Sequence, residues 1–269
     1  MLYHSRLGAV AALAASAGLF SITHARADIS GFGSLSSAQW ALNVPDQGAP
    51  PTYVPATQTL DLTNPGGNEH RSIFNKQPQP IGRFTASFTY QALNIVSHFG
   101  ETFGACFVVQ NSPAGSAAVG SGTADLGYVS IGNSVAVTLA IGGSNGTTGV
   151  FSGGNIGGGA TSTVPVSLAS GDPINVLLTY DGTFLTETLT DTVTHAAYAP
   201  PSSFINIPAA IGGNSAYVGF TASTVGVNLG GGADQYLSNF QFGAIPTPAS
   251  LSTLGFVGFV VARRRRHFN

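Results

Sequence analysis

The most constraining feature of this sequence is how few charged side chains it carries. Only 20 of its 269 residues are Lys, Arg, Asp or Glu, or 7%, against about 25% in a typical soluble domain. Long exposed helices need charged residues on their solvent face, so a helical bundle is excluded. Hydrophobic residues make up 43% of the chain, which argues against disorder. We therefore expect strands that present uncharged polar residues to water.

The remaining charges are unevenly distributed along the chain. Between residues 28 and 243, three basic residues stand against all 11 acidic residues, which leaves a net charge of −8. Such a segment has no basic patch to neutralise phosphates, so a nucleic-acid partner is excluded. The single cysteine, Cys106, excludes an internal disulfide and a cysteine-based zinc site.

Residues 1–27 have the pattern of a secretory signal peptide. His4 and Arg6 give a positive start, residues 7–22 are uncharged and rich in Ala and Leu, and Ala25-Arg26-Ala27 follows. Small residues at these last positions are what a signal peptidase recognises. An amphipathic core helix is the alternative, but the apolar residues cover all faces of the helix. We predict cleavage before Asp28.

Between the two ends, apolar residues alternate with polar ones at the period of two that is typical of strands. Phe84, Ala86, Phe88 and Tyr90 share one face, and a second alternation places Leu185, Glu187 and Leu189 together. Gly-, Asn-, Pro- and Ser-rich connections such as 142–146 and 153–159 separate the strands. Continuous buried strands are predicted at residues 105–110, 134–141, 174–180 and 217–221. Many short strands without a convincing helix predict one all-β domain over residues 28–243, an antiparallel sandwich or jelly roll.

Eight segments of this domain carry a family resemblance. They are Trp40–Asn43, Leu60–Thr63, Phe84–Gln91, Gly104–Asn111, Leu126–Tyr128, Ser134–Val137, Tyr217–Thr224 and Tyr236–Phe242. In order and spacing they resemble the legume-type (L-type) lectins, specifically their bacterial relatives. The resemblance covers about residues 29–242 and implies a concanavalin A-like jelly-roll β-sandwich that binds carbohydrate.

The resemblance also implies where a site would lie and what it lacks. In metal-dependent members an Asp before a Gly contacts the sugar, and Phe103 occupies that position before Gly104. The family's metal-binding strand continues Ser-Val-Ala-Val with Glu-x-Asp, where this chain has Thr138 and Ala140. Hard cations need several carboxylate or carbonyl oxygens. We therefore predict a domain without bound metal and without any other cofactor.

Carbohydrate contacts are expected from loops at one end of the sheet. Phe103 either stacks on a sugar ring or closes the end of the sheet by packing. Asn145, followed by Gly146, either hydrogen-bonds a sugar or forms a simple turn. Asp234 and Gln235 lie in the loop that often sets sugar specificity in the family, with a plain polar loop as the equal alternative. The candidate carbohydrate-binding residues are Phe103, Gly104, Asn145, Asn228, Asp234 and Gln235.

The acidic residues of the domain do not form a catalytic pair. Retaining glycanases need two carboxyl groups about 5–5.5 Å apart. Glu187 and Asp191 lie four residues apart on one strand face, which separates them by about 13 Å. Cys106 lies within an apolar strand, where a buried, unreactive thiol is expected. We therefore predict a protein that is not an enzyme.

The C-terminal residues 244–269 combine three parts in a fixed order. Pro246-Thr247-Pro248 precedes an apolar run over residues 249–262, and Arg263, Arg264, Arg265 and Arg266 follow. This order resembles a PEP-CTERM sorting tail, although Thr247 stands where Glu is usual. The resemblance implies a short hydrophobic helix held transiently in the inner membrane, arginines on the cytoplasmic side and cleavage by an exosortase-type processing enzyme. An ordinary tail anchor is the alternative, although 14 apolar residues are fewer than the roughly 20 of a full span.

These features together predict an exported, lectin-like carbohydrate-binding protein. Its expected location is the cell-envelope surface or the extracellular matrix of a Gram-negative bacterium. The alternative is a structural surface or biofilm-matrix protein that keeps the lectin fold without binding sugar.

Overall fold

The computed structural model describes residues 29–245, except residues 34, 37, 66, 98–99, 143–144 and 226–230. The predicted signal peptide, Asn228, Pro246, Pro248 and Arg263–Arg266 lie outside the described residues. The described strands are β1 (Ile29–Ser30), β2 (Trp40–Asn43), β3 (Thr52–Val54), β4 (Thr59–Asp61), β5 (His70–Asn75), β6 (Gln79–Pro80), β7 (Phe84–Val96), β8 (Phe103–Gln110), β9 (Ser134–Ile141), β10 (Thr147–Ser152), β11 (Thr161–Ser162), β12 (Ile174–Tyr180), β13 (Phe184–Asp191), β14 (Ala197–Tyr198), β15 (Ser203–Phe204), β16 (Ser215–Ser223) and β17 (Gly232–Ala244).

Helical structure is short in the described part of the chain. One α-helix, α1, covers Ile207–Ile211, and two 3-10 turns cover Gly115–Ala117 and Thr123–Asp125. No helix among these residues has the length and apolar character that a membrane span requires.

The strands form two antiparallel sheets. The first sheet has the order β14-β13-β12-β7-β17-β4-β3, with β1 beside β17 and β15 beside β13. The second sheet has the order β11-β10-β9-β8-β16-β5-β2, with β6 beside β16. In each sheet a strand from the first half of the chain pairs with one from the last third, β7 with β17 and β8 with β16. This topology confirms the predicted all-β sandwich.

The core lies between the inner faces of the two sheets. The alternation predicted for β7 is confirmed, because Phe84, Ala86, Phe88 and Tyr90 are each at most 3% exposed. The ring of Phe88 meets that of Phe220 from the second sheet edge to face, with centroids 4.8 Å apart. Such aromatic pairs add about 0.5–1.5 kcal/mol beyond the burial of their area.

The second sheet is buried on its outer face as well. Strands β8 and β9 are buried at every position. Leu126 and Tyr128, from the connection between these two strands, pack with Cys106 and Val108 in a second apolar cluster on that face. Cys106 is 0% exposed, which confirms that the thiol is buried, and this burial raises the pKa of the thiol to about 12, which disfavours the reactive thiolate.

The outer face of the first sheet has the uncharged polar character expected from the composition. Thr85, Thr179 and Thr186 lie side by side on β7, β12 and β13. Two residues further along each strand, Ser87, Leu177 and Thr188 are aligned in the same way. Hydroxyl groups therefore provide the water-facing surface that charged residues provide in most domains.

Candidate functional site

Several connections between strands meet at one end of the sandwich. The start of β8 pairs with the end of β9 and with the end of β16, because Gly104 lies opposite both Ala140 and Ser223. A Cβ atom on Gly142 would lie 2.9 Å from Oγ1 of Thr102, and one on Gly231 would lie 3.1 Å from Cβ of Glu101. We call this region the loop end and define it as residues 97, 100–102, 142, 145–146, 224–225 and 231.

Phe103 borders the loop end, but its side chain does not face solvent. The ring is 0% exposed and lies in the core between the sheets, on the same face of β8 as Ala105 and Phe107. A ring in this position cannot stack on a sugar at the surface, so the expected stacking role of Phe103 is wrong. The alternative prediction, that this ring packs at the end of the sheet, agrees with its burial.

Gly104 has a structural reason to be glycine. Its φ is +150°, and a Cβ atom would lie 2.1 Å from the carbonyl oxygen of Leu139 on the neighbouring strand. Any larger residue would therefore push β8 away from β9. The residue is buried, and it contributes close strand packing at the edge of the loop end.

The two positions at which the sequence resemblance places metal ligands are occupied by packed side chains. Thr138 is 1% exposed, and its Oγ1 donates to the carbonyl oxygen of Gly149 at 3.4 Å. Ala140 is 6% exposed and belongs to the second apolar cluster. Within the described ranges, no group of three or more His, Cys, Asp or Glu side chains is arranged to hold a metal ion. The metal content of the protein stays a prediction.

Asn145 lies at the loop end, in a turn of the backbone. Its carbonyl oxygen accepts hydrogen bonds from the Leu168 amide at 2.8 Å and from Thr163 Oγ1 at 3.3 Å. Gly146 follows with φ +97°, where a Cβ atom would be 2.9 Å from the carbonyl oxygen of Ala140. Asn145 is half-buried, so the turn interpretation fits the backbone.

Gln235 is an interior cross-link between the sheets. Its side chain is 0% exposed. The amide Nε2 donates to Thr63 Oγ1 at 2.8 Å and to the Ser223 carbonyl at 3.0 Å, while Oε1 accepts from the Tyr90 hydroxyl at 3.1 Å. A buried polar group with partners on both ends of its amide is not available to a ligand. The expected sugar contact through Gln235 is therefore wrong.

Asp234 lies three residues after Gly231 of the loop end, but its side chain faces away from the second sheet. Ala233 and Gln235 on either side of it face the core, so its side chain points to the outer surface of the first sheet. There its Oδ2 accepts a hydrogen bond from Asn94 Nδ2 at 2.6 Å. Of the candidates within the described residues, Phe103, Gly104 and Asn145 therefore lie near one another at the second sheet, and the Phe103 side chain points into the core.

Two polar residues that were not predicted from the sequence belong to the loop end. They are Glu101, which accepts a hydrogen bond from the Ser97 hydroxyl at 3.1 Å, and Thr102, and both are half-buried. Their position directly before β8 is the signal that would have identified them, because residues that enter a paired strand lie at the end of the sheet.

A buried ionic network lies close to the same end. Arg71 is 0% exposed, and its Nη2 lies 2.9 Å from Asp46 Oδ1 and 2.8 Å from Glu69 Oε1. Nearby, the pKa of Asp61 is raised to about 7, first by burial and then by the charges of Asp234 and Glu69. Arg71 supports the fold, since it also donates to the backbone carbonyls of Leu62 and Ala49.

Comparisons with known proteins identify the architecture. No protein-family model and no curated protein matches this chain. Among solved structures, it is similar to arcelin-5, a lectin-like defence protein from Phaseolus vulgaris, with 16% identity and a TM-score of 0.62 over 78% of this chain and 93% of that one. It is also similar to the metal-free form of lectin I-B4 from Griffonia simplicifolia, with 16% identity and a TM-score of 0.63 over 80% of this chain and 97% of that one.

A third similar structure is the lectin UEA-II in complex with galactose. It is 15% identical, has a TM-score of 0.61, and aligns over 82% of this chain and 100% of that chain. The described domain therefore has the legume-lectin fold, as the sequence resemblance predicted. At these identities the similarity shows the fold, and function must be argued from the residues.

Proposed function

We propose that this chain is an exported, lectin-like carbohydrate-binding protein that works without a bound metal pair. The observation that carries the proposal is the convergence of three connections at the loop end of a legume-lectin fold. One similar structure contains galactose, which supports a sugar as the ligand class.

The contacts we propose differ from those expected from the sequence. Glu101, Thr102 and Asn145 are half-buried polar residues at the loop end, whereas Phe103 and Gln235 are packed inside the sandwich. Carboxylate, hydroxyl and amide groups can hydrogen-bond the hydroxyls of a sugar ring. A single site that relies on a few hydrogen bonds would be weak, on the order of millimolar, and multivalent display would be needed for useful avidity.

A glycan array with the full-length protein, with and without calcium, tests this function. Glycan binding that persists after chelation is the expected result. Asn145→Ala and Glu101→Ala should each weaken binding severalfold. Asp234→Asn is the matched control, because Asp234 is also polar and half-buried but faces the other surface. Equal loss in all three variants, or no bound glycan at all, would contradict the proposed site.

The second candidate function is a structural surface or matrix protein with the same fold. The observation that favours it is the replacement of expected ligands by packing, most clearly at Phe103 and Gln235. If no glycan is retained while the protein is folded and displayed at the cell surface, this second function takes precedence.

We also propose that the protein is not an enzyme. Asp191 Oδ1 accepts the backbone amides of Val193 and Thr194 at 2.8 and 2.9 Å, which suits a turn-forming acid. Glu187 lies between the sheets, with both carboxylate oxygens on Thr148. An assay for release of reducing ends from glycans retained on the array tests this point, and sustained release would contradict it.

Export and sorting complete the proposal. The signal peptide over residues 1–27 and the tail over residues 244–269 support secretion, transient inner-membrane retention and processing by an exosortase-type enzyme. Intact-mass measurement of the protein from its host tests both ends. Retention of Arg263–Asn269 in the mature mass would favour an ordinary tail anchor instead.

A further inference from the structure

A pocket separate from the loop end lies at the side of the sandwich, where an edge of each sheet approaches the other. It has a volume of about 240 Å³. The second sheet contributes Thr148 and Val150 from β10, and the first sheet contributes Leu185 and Glu187 from β13. Pro200 and Pro201 complete one wall. None of these residues belongs to the loop end.

The carboxyl group of Glu187 is the main polar feature of this pocket. The residue is 5% exposed, and its Oε1 and Oε2 lie 2.9 and 2.8 Å from Oγ1 of Thr148. A hydroxyl has one proton, whereas a carboxylate offers about four lone-pair positions. Thr148 therefore satisfies only part of the hydrogen-bonding capacity of Glu187.

No positive charge of the protein compensates Glu187 in the described structure. Neither Lys, Arg nor His is among the residues that line the pocket. The causes that shift the pKa of Glu187 are burial and, in the opposite direction, the Thr148 hydroxyl, with no charged side chain among them. The described residues therefore leave a negative site whose walls are apolar at Val150, Leu185 and the two prolines and polar at Thr161 and Ser203.

We propose that this pocket binds a small primary ammonium ion with an apolar body. The three N–H donors of an ammonium group match the unused lone pairs of Glu187, and Val150, Leu185 and the two prolines would contact the apolar body. At about 30 Å³ for each water-sized group, the volume admits a ligand of about eight non-hydrogen atoms. A divalent metal ion fits the pocket poorly, because hard cations take six to eight oxygen ligands and the pocket offers one carboxylate.

The test is a titration of the full-length protein with n-butylammonium chloride at pH 8, followed by amide NMR shifts, with n-butanol as the neutral control. The ammonium should cause saturable shifts at residues 148–150 and 185–187, with a dissociation constant on the order of 1 mM, and n-butanol should not. Because the pKa of Glu187 is about 7, the dissociation constant should rise about a hundredfold between pH 8 and pH 5.

Two variants separate the pocket from general effects on folding. Glu187→Gln removes the charge with almost no change in shape and should abolish the saturable shifts. Val150→Phe fills the pocket while leaving the carboxyl group in place and should also abolish them. Equal shifts with n-butanol, ammonium binding that survives Glu187→Gln, or the absence of saturable shifts would overturn the proposal. Since the loop end shares no residue with the pocket, glycan binding is unaffected by either outcome.

Discussion

Glu187→Gln should stabilise the protein at alkaline pH and slightly destabilise it in acid. Burial between the sheets raises the pKa of Glu187 from its ordinary value of 4.5 to about 7, and the Thr148 hydroxyl opposes this rise. The folded state therefore binds this proton more tightly than the unfolded chain does. The stability contributed by the protonated carboxyl group is full below pH 4.5, is lost between about pH 4.5 and 7, and does not change further above pH 7.

The size of this effect follows from the interval between the two pKa values. At 1.36 kcal/mol for each pH unit, the interval corresponds to about 3 kcal/mol of unfolding free energy. Glutamine keeps an oxygen that can accept from Thr148 but adds a buried NH2 group, which costs about 1 kcal/mol when it lacks a partner. Relative to the parent, the variant should therefore gain about 2 kcal/mol at pH 8 and lose about 1 kcal/mol at pH 4.

Urea unfolding at pH 4, 6 and 8 measures these differences directly. Thr148→Val is the matched control, because it removes the hydroxyl that favours the ionised form of Glu187. This control should make the loss of stability with rising pH steeper, whereas Glu187→Gln should make it shallower. A free-energy difference between Glu187→Gln and the parent that is the same at all three pH values would refute the reasoning.

Three further outcomes are expected. Phe103→Ala should lower the free energy of unfolding by about 3–5 kcal/mol in urea unfolding, because it leaves a cavity in the core. Unchanged stability would show that the ring is not packed. Gln235→Leu should cost about 2–4 kcal/mol in the same assay, since it leaves Tyr90 and Thr63 without their partner. Chelation should leave the melting temperature unchanged, and elemental analysis should find no stoichiometric calcium or manganese; a lowered melting temperature after chelation would contradict the metal-free prediction.

The strands were predictable because runs of apolar residues and the turn-forming residues that flank them indicate the same strand limits. The observed limits of β9 and β12, Ser134–Ile141 and Ile174–Tyr180, are those that the apolar runs and their flanking Gly, Asn and Pro residues predict. The cover on the outer face of the second sheet was not predicted. It comes from Leu126, Tyr128 and their neighbours in a connection with little regular structure, and long-range packing of this kind leaves no periodic pattern in the sequence.

For the candidate residues, the sequence indicated position along the strands better than side-chain direction. Phe103 and Gly104 lie at the start of β8, at one end of the second sheet. The expected direction of the Phe103 side chain was wrong, although the sequence contained the signal. Phe103, Ala105 and Phe107 are spaced two residues apart on one strand, so their side chains share a face. All three lie in the core. Gln235 is different, because its burial depends on partners 145 and 172 positions away in the chain.

The hydrogen bonds around the loop end bear on the proposal that glycan binding needs no metal. Binding loops need a support that holds them in one geometry before a ligand arrives, because ordering them on binding lowers affinity. Here the Leu168 amide donates a hydrogen bond to the Asn145 carbonyl oxygen at 2.8 Å, and the Val225 amide donates one to the Gly231 carbonyl oxygen at 2.7 Å. Gln235 ties the end of β16 to the first sheet through the Ser223 carbonyl. Since the protein supplies these bonds itself, loosening them through Gln235→Leu should weaken glycan binding, whereas a chelator should have no effect.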